Sequence, residues 1–241
     1  MNPKVMRILK LGAALAALLM ILAATAAAQF SFQIDTMSRY IWRGFDLFPP
    51  NNAAFQPSAT YVFGESGFSA NIWTSFALGN RQVLKYDDEI DLTLTYAFKL
   101  PEDYALSVGL IHYGWYFDRG FSFKRSTTQE FFVTAGLPKA FLQPTLSIYY
   151  DVTLGTGLYA SLKVGQSLPL CESLDLSLSA CLGYNSRQWI DTSGLSDLTV
   201  GATLPIKVGA LTIAPLVNYT FVFLKEVNLD NEYWFGLSLI F

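Results

Sequence analysis

Apolar and polar side chains alternate through most of this chain, in segments of about ten residues separated by turn-forming residues. In the clearest segment, 174–184, every even-numbered residue is apolar and every odd-numbered one is polar or small. A period of two predicts β-strands with one apolar and one polar face. About ten residues is also the length that a tilted strand needs to cross a bilayer, but soluble β-sandwiches alternate in the same way. The alternation therefore predicts an all-β fold and leaves two architectures open.

The lengths of the connections separate these two architectures. The links after even-numbered strands are short and most links after odd-numbered strands are long; the link at Leu154–Thr156 is the exception. This order is typical of an outer-membrane barrel with short periplasmic turns and longer extracellular loops, and a soluble sandwich has no reason to sort its loops by length. We therefore predict a transmembrane antiparallel up-and-down β-barrel of about twelve strands, at residues 30–43, 54–63, 67–78, 88–100, 104–117, 127–137, 142–153, 157–167, 174–184, 195–206, 211–223 and 232–241.

The N-terminal residues have the pattern of a secretory signal peptide. Three basic residues at positions 4–10 precede an apolar stretch, and the small residues Ala26 and Ala28 have the spacing that signal peptidase requires. We predict cleavage after Ala28, so that residues 1–28 are removed and residues 29–241 form the barrel. The alternative is a transmembrane anchor, for which the apolar stretch is short.

Charge and hydropathy limit the partners of the mature chain. The sequence has 19 acidic and 16 basic residues, and three of the basic ones lie in the predicted signal peptide, which leaves a net charge of about −6. This excess argues against nucleic acids and anionic surfaces as partners. After the predicted signal peptide the sequence contains no run of about 18 apolar residues, which a membrane-spanning helix would need. We expect a protein exported by the Sec route to the cell outer membrane.

The last predicted strand adds a second sign of a membrane barrel. Tyr233, Phe235, Leu237, Leu239 and Phe241 fall on one face, and an open edge this apolar would be an aggregation hazard in a soluble protein. We expect this strand to close onto the first one. Outer-membrane lipid and the barrel-assembly machinery, which engages such a strand ending at Phe241, are the expected partners.

Several motifs resemble one known family. Ser38–Gly44 reads Ser-Arg-Tyr-Ile-Trp-Arg-Gly, and it is followed in the same order by Gly67–Ser75 and Gly109–Tyr113. In this combination residues 36–165 resemble the TorF family of porins. The resemblance implies an outer-membrane barrel with no established cargo. The fifth strand departs from the family pattern, because Tyr113–Tyr116 lacks the proline expected there. We therefore expect the loop that follows this strand to differ from that of the family.

The sequence lacks the residues of a catalytic or metal site. His112 is the only histidine, and it is followed by Tyr and Gly and not by the serine that a phospholipase-type barrel places two positions later. By parity His112 faces lipid near the outer rim. Cys171 and Cys181 are too far apart along an extended strand to pair, so we expect both to be free. We predict no enzyme activity, no metal and no cofactor.

The face opposite the apolar one forms the predicted lumen, and its charges are the candidate functional residues. Six are acidic and three are basic. They are Arg39, Arg43, Glu89, Asp91, Glu130, Asp151, Lys163, Asp175 and Asp197. One hypothesis is a structural network in which Arg39 and Arg43, on strand 1, pair with Glu89, Asp91 or Glu130. The other is a polar path whose acidic excess favours cations.

Barrel size determines which function we predict. Eight strands leave an interior filled by side chains and sixteen leave an aqueous channel, so twelve strands predict a narrow pore. We expect Trp73, Tyr113, Trp115 or the Phe45–Phe48 loop to obstruct it in part. The predicted function is a monomeric porin-like channel for passive diffusion of ions or small polar solutes, weakly favouring cations. The alternative is a structural or partner-binding outer-membrane barrel with an occluded interior.

Overall fold

The computed structural model describes residues 29–84, 87–114, 127–171 and 174–241, and the predicted signal peptide and Trp115 lie outside them. Fifteen strands and one short helix are present in this part of the chain. In chain order they are β1 (Phe30–Met37), β2 (Ile41–Trp42), β3 (Phe45–Asp46), β4 (Ala54–Val62), β5 (Phe68–Ala77), α1 (Arg81–Leu84), β6 (Glu89–Ala97), β7 (Ala105–Gly114), β8 (Thr127–Gly136), β9 (Thr145–Asp151), β10 (Leu158–Cys171), β11 (Leu174–Ser186), β12 (Ser193–Thr203), β13 (Ile206–Val208), β14 (Leu211–Val222) and β15 (Glu232–Ile240).

The described strands form a closed twelve-stranded antiparallel barrel. Each wall strand pairs with the next one along the chain, and β1 closes the cylinder by pairing with both β4 and β15. Ile34 lies opposite Pro57 on one side and Leu239 on the other. β13 continues β12 along β14, so the two count as one wall strand. The predicted fold is confirmed, including the closure of the last strand onto the first.

Two predicted strand ranges are wrong. The first wall strand ends at Met37 and not at residue 43, because the chain turns inward and forms the separate β2–β3 hairpin. Positive φ angles of 52° at Arg43 and 85° at Gly44 make the tight turn of that hairpin. The strand predicted at 195–206 is interrupted between β12 and β13, where Pro205 has no N–H to donate to the ladder.

The barrel has two different ends. The connections 38–53, 78–88, 152–157, 187–192 and 223–231 lie at one end, which we call the loop end because it carries the three longest of them. The connections 63–67, 98–104, 137–144 and 209–210 lie at the other, the turn end, together with Gln29 and Phe241. The sorting by length is incomplete, because 98–104 and 137–144 are longer than 152–157 and 187–192. No helix in the described part of the chain is long and apolar enough to span a membrane.

The outer wall of the barrel is formed by apolar side chains that are exposed. Leu92, Phe131 and Val217 are each more than half exposed, and they alternate with inward-facing polar residues as the sequence predicts. His112 lies opposite Leu92 and Gln129 on this outward face, with its Nδ1 atom 3.1 Å from the Gln129 amide nitrogen. The outer face therefore has the chemistry of a surface that contacts hydrocarbon.

Both cysteines are free, as expected. Cys171 is exposed at the turn end, and Cys181 is partly buried on the inner wall opposite Lys163.

Candidate functional site

Residues 38–53, which we call the plug, fold into the loop end of the barrel. Trp42 pairs with Phe45 in the β2–β3 hairpin, and the backbone N–H of Leu47 donates to the carbonyl of Tyr40 at 2.9 Å. The segment turns inward because its apolar side chains find partners there. Tyr40 and Phe48 are buried, and they form the hydrophobic core of the protein with Ala54, Ala77 and Leu84.

Arg43, near the tip of the plug, reaches across the interior to Glu130 on β8. Its two terminal nitrogens donate to the two carboxylate oxygens, each at 2.7 Å. The amide of Gln188 joins them, because its oxygen accepts from Arg43 at 2.6 Å and its nitrogen donates to Glu130 at 2.6 Å. Tyr113 donates a further hydrogen bond to Glu130 at 2.9 Å. This bidentate and fully bonded pair is the geometry in which a buried ion pair is strongest.

Aromatic rings enclose the Arg43 guanidinium on several sides. Its central carbon lies 4.3 Å from the ring centre of Tyr149, 4.4 Å from Trp42 and 4.6 Å from Tyr159, within the range of cation–π attraction. Burial acts to lower the pKa of Arg43, but Tyr113 and Glu130 outweigh it and the net shift is upward. The side chain therefore stays charged and holds the plug in place.

Gly44 packs against β12 and the connection 223–231. A Cβ atom at this position would lie 2.9 Å from the Val227 side chain and 3.1 Å from the Cβ of Asp197. The backbone φ of 85° also disfavours any residue with a side chain. The plug thus reaches from its attachment at β1 and β4 to Glu130 on β8 and to Asp197 on β12.

We expect Gly44→Ala to loosen the plug. The left-handed backbone costs about 1–2 kcal/mol for alanine, and the contacts with Val227 and Asp197 add to it, so trypsin should cleave after Arg43 roughly tenfold faster in refolded protein. Gly64→Ala is the matched control, because Gly64 also has a positive φ of 55° but nothing lies within 4 Å of its Cβ position. Equal cleavage of both variants would contradict a tightly docked tip.

The root of the plug binds the near wall through two more contacts. The Tyr40 hydroxyl donates to Glu89 at 3.0 Å. Burial, followed by the charge of Glu89, raises the pKa of Tyr40 well above its ordinary value, so the hydroxyl keeps its proton. Arg39 forms an ion pair with Glu232 on β15. The pairing of Arg39 with Glu89, Asp91 or Glu130 was therefore a wrong prediction, because residue 39 lies on the plug beside the last strand and not on the wall of strand 1.

A ring of buried side chains surrounds the plug. Each of the twelve wall strands contributes at least one inner side chain near the loop end that is at most 9% exposed. One of these from each strand defines the ring; they are Asp35, Gln56, Ser75, Glu89, Tyr113, Glu130, Asp151, Tyr159, Asn185, Asp197, Thr220 and Glu232. A water-filled path at this level would expose some of them. The described residues therefore close the barrel at the plug.

Negative charge predominates in this ring. Six of its members are carboxylic acids, and a further acid, Asp91, lies next to Glu89 on the same face of β6. Among the described residues, two bases form ion pairs with ring acids: Arg39 with Glu232 and Arg43 with Glu130. The other four acids are held by neutral donors instead. Asp35 accepts from the Gln33 amide and Glu89 from the Tyr40 hydroxyl. Asp151 accepts from the Thr128 hydroxyl at 2.6 Å, and Asp197 accepts from the Ser196 hydroxyl at 2.6 Å.

The turn-end half of the interior is open. A cavity of about 610 Å³ there is lined by Ser107, Thr134, Thr145 and Lys163 among others. Lys163 is exposed to this space, and Asp175 is exposed on β11 close to the turn end. Of the nine charged positions predicted for the lumen, seven thus lie at the plug and two lie in the open half.

Sequence reasoning missed several members of the site. Asp35 and Glu232 have the same inward parity as the predicted lumen charges, so alternation could have identified both. Gln188 comes from a loop, where no periodicity indicates direction. The described residues hold no cluster of three or more His, Cys, Asp or Glu arranged for a metal ion.

Comparison with known proteins identifies the family. A model described as "Bacterial protein of unknown function (Gcw_chp)" matches residues 22–234. The chain belongs to the Gcw_chp family. No curated protein matches the sequence.

Solved structures similar to this Gcw_chp chain are barrels. The NanC porin is 10% identical with a TM-score of 0.55, over 87% of this chain and 98% of that one. The translocator domain of the autotransporter NalP from Neisseria meningitidis is 10% identical with a TM-score of 0.49, over 96% and 97% of the two chains. LpxR from Salmonella typhimurium is 8% identical with a TM-score of 0.49, over 88% and 99%. The NanC likeness supports the barrel fold; enzyme activity, or its absence, stays a prediction.

Proposed function

We propose that this protein is an outer-membrane channel for ions and small polar solutes, and that the conformation described above is its closed state. The observation that carries the proposal is the insertion of the plug into the barrel, where the ion pair of Arg43 with Glu130 joins its tip to the wall. A barrel filled only for stability would need no vestibule of about 610 Å³, lined by both polar and apolar side chains, between the plug and the turn end. Release of residues 38–53 would connect that vestibule to the loop end.

The apolar outer wall supports the proposed location in the outer membrane. Exposed leucines, valines and phenylalanines surround the barrel, and burying them requires a lipid bilayer. We place the loop end outside the cell and the turn end in the periplasm, after export by a signal peptide cleaved at Ala28. The resemblance to TorF-family porins supports the same placement, and the terminal strand ending at Phe241 is the proposed recognition element for the assembly machinery.

Replacement of the plug tests the channel. Met37 pairs with Ala54 across the β1–β4 hairpin, so a short Gly/Ser turn in place of residues 39–52 keeps the strands in register. In planar bilayers we expect the intact protein to be silent for most of the time with brief conductance steps, and the plug-less variant to conduct steadily. Heat-modifiable gel migration verifies that both variants are folded barrels.

A second candidate function is a permanently occluded barrel that binds a partner through its loops. The continuous ring of buried side chains around the plug favours it. A surface cavity of about 520 Å³ at the loop end, lined by Arg187, Trp189, Asp191 and Glu226 among others, would be the place for a partner. A folded plug-less variant without conductance would reject the channel and leave this second candidate.

A further inference from the structure

A third cavity, of about 300 Å³, lies between the plug and the wall at the loop end. Five aromatic side chains line it, together with one carboxylic acid; they are Tyr40, Trp42, Phe45, Tyr113, Trp189 and Glu89. Trp189 is 40% exposed, so the cavity lies close to the outer surface. Its volume is at the small end of the range for ligand sites, about 300–1,000 Å³, which fits a compact ligand.

The carboxyl groups of this wall have no basic partner among the described residues. Glu89 accepts from the Tyr40 hydroxyl, and Asp91, two residues further along the same face, is at least nine-tenths buried with an Oδ1 atom that has no hydrogen-bond partner. Three arginines of the loop end bind other acids: Arg39 binds Glu232, Arg43 binds Glu130 and Arg81 binds Asp88. Arg187 lines the neighbouring surface cavity of about 520 Å³. Because Arg43 is paired with Glu130, Glu89 is the acid that lines this cavity and no base of the cavity lining faces it.

This combination of groups selects one class of ligand. Aromatic faces attract a cation through their quadrupoles, and they favour one whose charge is spread over methyl or methylene groups. A strongly hydrated metal ion would lose its water against an apolar lining without gaining enough ligands. An anion would meet Glu89. We propose that the cavity binds a small organic cation of the alkylammonium or quaternary ammonium class, with Glu89 as its counter-charge and Asp91 behind it.

The cavity exists in the conformation described here, with the plug inserted. The binding proposal therefore does not depend on whether the barrel conducts ions. Its lining comes from the plug on one side (Tyr40, Trp42 and Phe45) and from the wall on the other (Glu89 and Tyr113). A cation between them would contact both and would stabilise the plug in place.

Calorimetric titration of the refolded full-length mature chain tests the site. The probe is choline, and its neutral isostere 3,3-dimethyl-1-butanol is the comparison; the detergent is a maltoside, which carries no choline group. We expect saturable choline binding and at least about tenfold weaker binding of the alcohol. Equal binding of the two compounds, or no choline binding, would overturn the proposal.

Variants connect binding to the named residues. Glu89→Gln should lower choline affinity by about tenfold or more and leave the alcohol unaffected, whereas Glu65→Gln, at an exposed turn position, should change neither. If Glu89→Gln does not fold by heat-modifiable migration, Trp189→Leu in the surface loop replaces it, with an expected loss of at least about threefold for choline. Unchanged choline affinity in the folded variant overturns the assignment.

Discussion

Arg43→Met is expected to detach the plug while the barrel stays folded. The substitution leaves Glu130, which is fully buried, without its counter-charge, and breaking a buried pair in this way costs about 3–5 kcal/mol. About 3 kcal/mol corresponds to a roughly hundredfold larger open population. The measurement is hydrogen exchange of the peptide covering residues 38–53, in which the Leu47 amide is held by Tyr40; its exchange should accelerate by a similar factor.

Two further variants make this result specific. Arg43→Met combined with Glu130→Gln removes both charges, so exchange in the plug should be slower than in Arg43→Met alone. Lys139→Met breaks the exposed pair with Glu102 at the turn end, which contributes at most about 1 kcal/mol, and it should leave the plug unchanged. Wild-type exchange in Arg43→Met would show that this ion pair does not hold the plug.

The barrel was accessible to sequence reasoning because its signals are local and repeated. Alternation marks each wall strand independently, as in 174–184, the order of short and long connections favours a barrel over a sandwich, and the apolar face of the last strand predicts the closure. Errors arose where a tertiary contact overrides that pattern. Residues 38–43 alternate well enough to continue β1, yet the burial of Tyr40 and Phe48 against Ala77 and Leu84 takes them off the wall.

The site was predictable only in part, for a related reason. Inward parity identifies Glu130 and Asp197, because a strand fixes the direction of each side chain. Parity cannot identify which groups meet across the interior, since that depends on how far a loop folds inward. Arg43 lies 87 residues from Glu130 and 145 residues from Gln188, and no local pattern records such distant contacts.

The acidic excess of the buried ring leads to the second large expected effect, on ion selectivity. In the plug-less protein the two arginines are gone and the ring carboxyl groups face water, so a KCl gradient should give a reversal potential that indicates a preference for potassium. Glu89→Gln with Asp91→Asn removes two charges from one wall. One charge about 8 Å away in water is worth about 0.5 kcal/mol, so after screening by salt the potassium-to-chloride permeability ratio should fall by about two- to fivefold.

Lys163 and Asp175 provide the matched controls for this measurement, because both lie in the turn-end half and away from the ring. Lys163→Gln removes a positive charge from the vestibule, and it should raise the preference for potassium. Asp175 is exposed on β11 at the turn end, where a wide and well-hydrated region screens its charge. Asp175→Asn should therefore change the permeability ratio less than Glu89→Gln with Asp91→Asn does. Reversal potentials unchanged by Glu89→Gln with Asp91→Asn would show that ions pass the ring by a route away from β6.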